Sequence, residues 1–158
     1  MSEAPPFHVR RLTRADIDLM LAISRMFGTV FGEVETYTAR PPSGGYFDRL
    51  LGNKEFVALA AMQAGEVIGG LVAYELVKFE QERSEFYIYD LAVREDSRRR
   101  GVATALIEEL RRIAAANAAQ VIFIQADRSD EPAIALYSKL GRREEVLHFD
   151  IPAAGRET

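Results

Sequence analysis

A run of three arginines and a glycine, RRRG at residues 98–101, has the composition of a phosphate-binding loop. It lies between an apolar run at 87–93, typical of a strand, and apolar residues from Ala103 onward with the spacing of one helical face. The first turn of a helix has unpaired backbone N–H groups, and the helix dipole favours an anion there. Gly101 has no side chain to keep a phosphate away from these donors. Arginine runs are more often solvated loops, but the order of strand, loop, glycine and helix favours a pyrophosphate site here.

An aspartate interrupts the apolar run of the strand predicted at 84–93. Burial of a carboxylate is costly unless the group is paired or used, and the sequence leaves both a solvent-facing and a catalytic Asp90 open. As a catalyst, Asp90 would help to remove a proton from an attacking amine, directly or through water. Since the pKa of a free aspartate is about 3.9, that role requires desolvation or neighbouring carboxylates. Candidate neighbours are Glu85, Asp127 and Asp150, which we expect on adjoining strands.

The composition predicts a single domain with a hydrophobic core over residues 1–158, with frayed tails at 1–6 and 152–158. The chain has no cysteine, which excludes disulfides and a thiol nucleophile. A net charge of −4 argues against a nucleic-acid partner and suits a cationic one. His8 and His148 are too few for a metal site, so we expect no metal. With no export signal or membrane span evident, the expected location is the cytoplasm.

The order of the strands and helices that must position these residues indicates an α/β (α+β) fold. We expect a mixed, mostly antiparallel central sheet with about four flanking helices. Strands are predicted at 7–12, 56–62, 67–76, 84–93, 120–126 and 144–151. Helices are predicted from the capping box of Thr13 and Asp16 to about Phe27, where Gly28 ends or kinks the helix, and at 46–51, 102–117 and 132–141. The irregular segment 32–45 is either a loop that covers a substrate or an ordinary surface connection.

Arg98, Gly101 and Ala103 fill the three fixed positions of the Q/R-x-x-G-x-G/A signature of the Gcn5-related N-acetyltransferases (GNAT), after a strand that ends in LAV at 91–93. More specifically, the chain from about Phe7 to Asp150 resembles the small aminoglycoside 3-N-acetyltransferases. The match is carried by the segments KFEQ, RSEFYIYDLAV, RRRGVATALI, QADRSDEPAIALYSKLG and REEVLHFDI. The resemblance implies a GNAT fold, acetyl-CoA as cosubstrate and a homodimer. It also implies acetylation of the 3-amino group of the 2-deoxystreptamine ring, which confers antibiotic resistance. We expect the acetyl group to pass directly from acetyl-CoA to the amine.

The same resemblance assigns roles to individual residues. Tyr89 and Asp90 match a pair in the acceptor site, and Tyr137, whose helical spacing alone favours core packing, matches a tyrosine that protonates the leaving thiolate. The expected acetyl-CoA contacts are Leu91, Ala92, Val93, Arg98, Arg99, Arg100, Gly101, Val102, Ala103, Thr104 and Asp130. The expected contacts to a cationic substrate are Glu33, Glu35, Glu80, Glu85, Asp127, Glu145 and Asp150. Asp130 replaces the family's usual asparagine and Arg142 its usual aromatic residue, so the family's contacts are expected to differ at both positions.

Two alternatives remain open. The same chemistry could act on another amine, such as a polyamine or a protein lysine. The chain could also be an acyl-CoA-binding module without catalysis, in which Asp90 and Tyr137 are structural residues. Turnover with a panel of amines separates these alternatives, because a binding module would be stabilised by coenzyme A without acetylating any of them.

Overall fold

The structure is a computed structural model that describes residues 6–157, so parts of both predicted tails, residues 1–5 and 158, lie outside the described residues. The chain divides into two compact units, at 1–125 and 126–158. The elements of the first unit are β1 (His8–Arg11), α1 (Ile17–Phe31), α2 (Val34–Thr38), α3 (Gly44–Gly52), β2 (Phe56–Gln63), β3 (Glu66–Val77), β4 (Ser84–Val93), α4 (Val102–Ala116) and β5 (Ala119–Ile124), with a 3-10 turn at Glu95–Ser97. The second unit contains α5 (Glu131–Leu140). The prediction of a single domain stays a prediction.

The first unit is built on a five-stranded sheet in the order β1-β2-β3-β4-β5. Its first four strands are antiparallel neighbours, and β5 lies parallel to β4, because the chain crosses back through α4 between them. The turn between β2 and β3 has positive φ at Ala64 (49°) and Gly65 (79°), which is the geometry of a type I′ hairpin. The predicted mixed, mostly antiparallel sheet is therefore confirmed.

Two adjacent glycines in β3 show that α1 and α4 lie on opposite faces of the sheet. Neighbouring residues of a strand point to opposite faces. A Cβ atom on Gly69 would lie 2.8 Å from Cγ1 of Val102 in α4, and one on Gly70 would lie 3.0 Å from Cγ2 of Ile23 in α1. Both helices thus pack closely on the centre of the sheet. The core on the α1 face contains Met20, Ile23, Met26, Phe27, Phe47, Phe56, Ala58, Ala60, Met62, Val72 and Ala92.

The first half of the chain contains a helix that the sequence did not predict. Gly28 neither ends nor interrupts α1, which continues to Phe31; Gly32 ends it with a left-handed φ of 68°. The segment predicted as irregular then forms α2, which has five residues and is too short for a helical period to be read from sequence. The described residues therefore contain five α-helices where the sequence predicted about four.

The strand predicted over residues 144–151 is wrong. No strand is assigned there, and Val146, Leu147, Phe149 and Ile151 are 71–89% exposed. The alternating sequence is typical of a strand, but a strand forms only through pairing with a neighbour, which a local pattern does not identify. None of the described helices is both long enough and apolar enough to cross a bilayer.

Candidate active site

A β-bulge in β4 places two neighbouring side chains on the same face of the sheet. Asp90 pairs with Val72, and the next pair joins Ile88 to Ala73, so Tyr89 has no partner residue in β3. In a regular strand Tyr89 and Asp90 would point to opposite faces, but an extra residue in one strand disturbs that alternation. Both residues line one cavity on the α1 side of the sheet.

This cavity has a volume of about 160 Å³ and holds one carboxylate among aromatic rings. The lining residues that carry polar groups are Ser24, Tyr37, Tyr74, Tyr89 and Asp90. Its apolar lining is formed by Met20, Phe27, Leu50, Phe56 and Val72. An anionic group beside aromatic faces is suited to a cationic ligand, since both attract positive charge.

The surroundings of Asp90 make it a stronger base than a free aspartate. Burial raises its pKa, the hydrogen bond from the Tyr37 hydroxyl lowers it, and the negative charge of Glu33 raises it further. Burial and the charge of Asp90 also raise the pKa of Tyr37 well above that of a free tyrosine, so its hydroxyl remains a donor at neutral pH. The condition that the sequence set for a catalytic Asp90 is thus met, with Glu33 as the carboxylate that adds to desolvation.

Beyond the bulge, one backbone edge of β4 is open. The pairing with β5 ends at Ile88, whereas the pairing with β3 continues to Val93. Arg94 donates its N–H to the carbonyl of Ile68 (2.9 Å), and because hydrogen-bonding direction alternates along an antiparallel strand, the N–H groups of Leu91 and Val93 point away from β3. On that same side the Arg98 side chain donates from Nε to the carbonyl oxygen of Val93 (3.3 Å). The Leu91 N–H is therefore directed toward the open edge.

The first turn of α4 has the properties of an anion site. The first hydrogen bond of the helix joins Ala105 N–H to the Gly101 carbonyl (2.9 Å), so the N–H groups at 102–104 precede the helical ladder. Gly101 has a φ of 78°, and no atom lies within 4 Å of where its Cβ would be. Arg99 is also left-handed, with a φ of 60°. Open space at Gly101, N–H groups outside the helical ladder and arginine side chains fit the pyrophosphate of a coenzyme A molecule.

The carboxylates expected to bind a cationic substrate differ in their surroundings. Glu33 is the N-cap residue of α2, and its charge raises the pKa of Asp90; Glu35 is exposed in the first turn of the same helix. Glu80 pairs with Arg83 (2.9 Å), and Glu85 lies 3.6 Å from Arg83 and 3.9 Å from Lys78. Glu80 and Glu85 thus carry part of their charge in ion pairs beside the β3–β4 turn.

The second unit contains the remaining predicted site residues. Asp127 and Asp150 are exposed and lie in no strand, which corrects the expectation that strands would carry them toward Asp90. Nε2 of His148 lies 2.9 Å from Oδ1 of Asp150. Glu145 lies 3.5 Å from Arg128 and also pairs with Arg143.

Asp130 and Tyr137 are linked within α5. Oδ1 of Asp130 accepts a hydrogen bond from the N–H of Ala133 (3.2 Å), so this carboxylate caps the helix. Burial raises the pKa of Tyr137 to about 12, and the charge of Asp130 contributes in the same direction. The Tyr137 hydroxyl is thereby protonated at neutral pH and able to donate.

Two tyrosines of the cavity were not predicted from the sequence. Tyr37 lies on the unpredicted α2, and Tyr74 lies on β3, where an aromatic residue is ordinary strand composition. Tyr74 reaches the site because its ring packs edge-on against Tyr89, with centroids 5.9 Å apart. The only sequence signal for Tyr37 was its place in a segment interpreted as a possible substrate cover.

Among the described residues, no group of three or more His, Asp or Glu side chains is placed to hold a metal ion.

A mixed sheet with a bulge in β4, followed by a glycine-led helix with N–H groups outside its hydrogen-bond ladder, is compatible with an acyl-CoA-dependent transferase. The sequence model of the acetyltransferase (GNAT) family matches residues 21–141, and the chain belongs to that family. It is an acetyl-CoA-dependent acetyltransferase, and the predicted GNAT fold is confirmed.

Three of the proteins that are similar to this chain illustrate the family. An aminoglycoside acetyltransferase from an uncultured soil metagenomic sample is 58% identical, with a TM-score of 0.93 over 94% of this chain and 99% of its own. A second one from such a sample, in complex with sisomicin, is 27% identical, with a TM-score of 0.85 over 93% and 96% of the two chains. An N-alpha-acetyltransferase of Sulfurisphaera tokodaii is 26% identical over 149 residues, which cover 87% of this chain and 81% of that protein.

Proposed function

We propose that this enzyme transfers an acetyl group from acetyl-CoA to the 3-amino group of the 2-deoxystreptamine ring of aminoglycosides. The observation that carries the proposal is the Asp90 carboxylate in a tyrosine-lined cavity, next to the open backbone edge of β4. The 58% identity to an aminoglycoside acetyltransferase supports this substrate class. The choice of the 3-amino group rests on the sequence resemblance described above.

The proposed mechanism is direct transfer of the acetyl group from acetyl-CoA to the substrate amine, and groups of this chain assist each step. When bound, acetyl-CoA supplies the acetyl group as a thioester. The backbone amides from Arg99 to Thr104 hold its pyrophosphate, and the Leu91 N–H donates a hydrogen bond to the thioester carbonyl, where negative charge develops. Asp90 accepts a proton from the substrate amine, directly or through water. Tyr137 is the proposed proton donor to the departing thiolate.

The α1 face of the sheet offers further contacts for a polycation. A row of aromatic rings extends from the cavity toward β5: Tyr74 contacts Tyr89 (5.9 Å), Tyr89 contacts Tyr87 (5.8 Å), and Tyr87 stacks on Phe123 (4.8 Å). Tyr89 and Phe123 are 62% and 37% exposed, so a ligand can reach these faces. Ammonium groups and the apolar faces of sugar rings both favour such surfaces. Glu33 and the net charge of −4 add long-range attraction.

The test is a substrate panel followed by identification of the product. Purified enzyme and acetyl-CoA are assayed for thiol release with gentamicin, with spermidine and with peptides that bear a free N-terminus or a lysine. We expect turnover with gentamicin that exceeds the others, and NMR of the product should place the new acetyl group on the 3-nitrogen. Gentamicin already acetylated at that nitrogen is the matched control and should release no thiol.

The alternative outcomes are equally specific. Faster turnover on peptides would favour a protein acetyltransferase, which the similarity to an N-alpha-acetyltransferase would then explain. A product acetylated at another nitrogen would retain the substrate class and overturn the proposed 3-amino acceptor.

Resistance, a homodimer and a cytoplasmic location belong to the same proposal. Drug susceptibility of cells that express the gene and sedimentation of the purified chain test the first two, and cell fractionation tests the third.

A further inference from the structure

The short helix α2 delivers one side chain to the Asp90 carboxylate. The Tyr37 hydroxyl donates a hydrogen bond to Oδ2 of Asp90 at 3.1 Å, across 53 positions of sequence. The tyrosine is fixed from two sides. Its carbonyl oxygen accepts a hydrogen bond from the Ser24 hydroxyl (3.3 Å), and its ring packs edge-on against Phe27 with centroids 6.2 Å apart. Both partners lie on α1, so α1 sets where the hydroxyl of Tyr37 lies.

Gly28 provides the space in which α2 packs on α1. A Cβ atom at position 28 would lie 3.1 Å from Cβ of Tyr37 and 3.2 Å from Cα of Val34, closer than ordinary van der Waals contact. The Gly28 carbonyl also accepts the N–H of Glu33 (2.9 Å), which ties the start of α2 to the same residue. A glycine inside a helix lowers helical stability relative to alanine, so close packing is the physical reason for glycine here.

We propose that Tyr37 is a positioning residue for the acetyl transfer: it holds Oδ2 of Asp90 and leaves Oδ1 to accept the proton of the amine. The inference rests on the proposed function, in which Asp90 is the base. No described residue donates a hydrogen bond to Oδ1 of Asp90, whereas Oδ2 is engaged by Tyr37. A carboxylate with one fixed oxygen has fewer orientations, and correct orientation of the base is a large part of proton-transfer catalysis.

The hydrogen bond also sets the pH range in which Asp90 can act. The titratable groups that face Asp90 are Glu33 and Tyr37 around α2, Tyr74 on β3, and Tyr87 and Tyr89 on β4. Burial and Glu33 raise the pKa of Asp90, and the Tyr37 hydroxyl opposes them by stabilising the carboxylate. Loss of that hydroxyl should therefore raise the pKa of Asp90, and a higher pH should be needed to form the base.

The test compares Tyr37→Phe with Tyr46→Phe. Tyr37→Phe keeps the ring against Phe27 and removes only the hydroxyl; Tyr46 lies on α3 and is 51% exposed. For Tyr37→Phe we expect the acid limb of the kcat/KM profile to move up by about one pH unit, with activity about tenfold lower on that limb and largely recovered at higher pH. The loss that remains at high pH reflects the freer orientation of the carboxylate. Tyr46→Phe should leave the limb in place. A loss of activity with the acid limb left in its native place would overturn the inference, because it would indicate a packing role alone.

A second measurement is independent of turnover. The carboxyl carbon of Asp90, assigned in carbon-13-labelled protein with Asp90→Asn, is titrated without substrate, and its pKa should rise in Tyr37→Phe. An unchanged pKa overturns the inference whatever the activity. If the pKa rises but Asp90→Asn retains full turnover, the hydrogen bond stands and the proposed role of Asp90 fails, so the two failures are distinguishable.

Gly28→Ala tests the packing step. Alanine should displace α2 and shift the acid limb in the same direction as Tyr37→Phe, by a smaller amount. Gly44→Ala is the matched control, because no atom lies within 4 Å of the Cβ position of this α3 residue. An unshifted limb in Gly28→Ala would show that Gly28 does not govern the placement of Tyr37.

Discussion

Two proposed sites lie along β4 and the loop that follows it, and they use different kinds of groups: one uses backbone N–H groups and the other uses side chains. At the start of α4 the proposed ligands are backbone N–H groups, which a segment of six consecutive residues, 99–104, provides. At the bulge, the ligands are side chains from α1, α2, β3 and β4 gathered into one cavity. The first site depends on how the backbone turns at Gly101, and the second depends on which side chains meet Asp90.

This difference determines how each site should respond to mutation. A backbone site tolerates changes of neighbouring side chains and is sensitive to any residue that alters φ. A side-chain site is sensitive to the loss of a single atom, because the other groups of the site form hydrogen bonds and contacts with that atom. Substrate binding and chemistry should therefore separate experimentally along β4.

The largest effect is expected at the bulge. Asp90→Asn retains size and the acceptor for the Tyr37 hydroxyl but removes the base, so kcat should fall by about 10²–10⁴-fold. The dissociation constant for coenzyme A, measured by calorimetry, should remain unchanged. Asp18→Asn, an exposed change on α1, is the control and should affect neither quantity. If Asp90→Asn weakened coenzyme A as strongly as it slowed turnover, the two sites would not be separable.

Asp90→Asn should also stabilise the fold at neutral pH. The folded-state pKa of Asp90 is raised by burial, so the folded chain binds a proton more readily than the unfolded chain does. The ionised carboxylate thus lowers stability above its unfolded pKa, and stability returns as the pH falls through the raised folded pKa. The neutral amide avoids this cost, so the melting temperature of the variant should exceed that of the native chain at pH 7. The gap should close in acid.

An intermediate effect is expected at the start of α4. Gly101→Ala puts a side chain at a φ of 78°, which costs about 1–2 kcal/mol in the left-handed region and should weaken coenzyme A about tenfold. Gly65→Ala carries the same strain at a φ of 79° in the β2–β3 turn, so it should lower stability without changing the affinity. Equal losses of affinity in both variants would refute a local backbone site.

The smallest effect is expected from the arginine side chains. Arg99→Gln should weaken coenzyme A by about threefold at low salt, and the difference should disappear in high salt, because exposed charges are screened. Arg111→Gln removes an equal charge from the exposed side of α4, where Arg111 pairs with Glu108 at 2.8 Å, and serves as the control. A salt-independent loss at Arg99 would instead indicate that this side chain shapes the loop.

The sequence was most informative where a feature depends on consecutive residues. The strand at 84–93 and the start of α4 at Val102 were both predicted at the positions where they occur, because apolar spacing and a glycine are local signals. The bulge was not predicted, since the register of Asp90 with Val72 depends on which residues β3 presents. Tyr37 was missed for a similar reason. Its contact with Asp90 joins distant segments, and the strand expected at 144–151 failed because pairing requires a partner that a local pattern does not identify.

The unpaired Tyr89 makes the number of residues in β4 part of the active site. Without this extra residue in β4, side chains would alternate regularly along the strand, and a neighbouring tyrosine and aspartate would lie on opposite faces of the sheet. The chain would then present either the ring or the acid to a substrate. Insertions and deletions within this strand should therefore reduce activity more than most conservative substitutions do, since they change which side chains lie on the same face of the sheet.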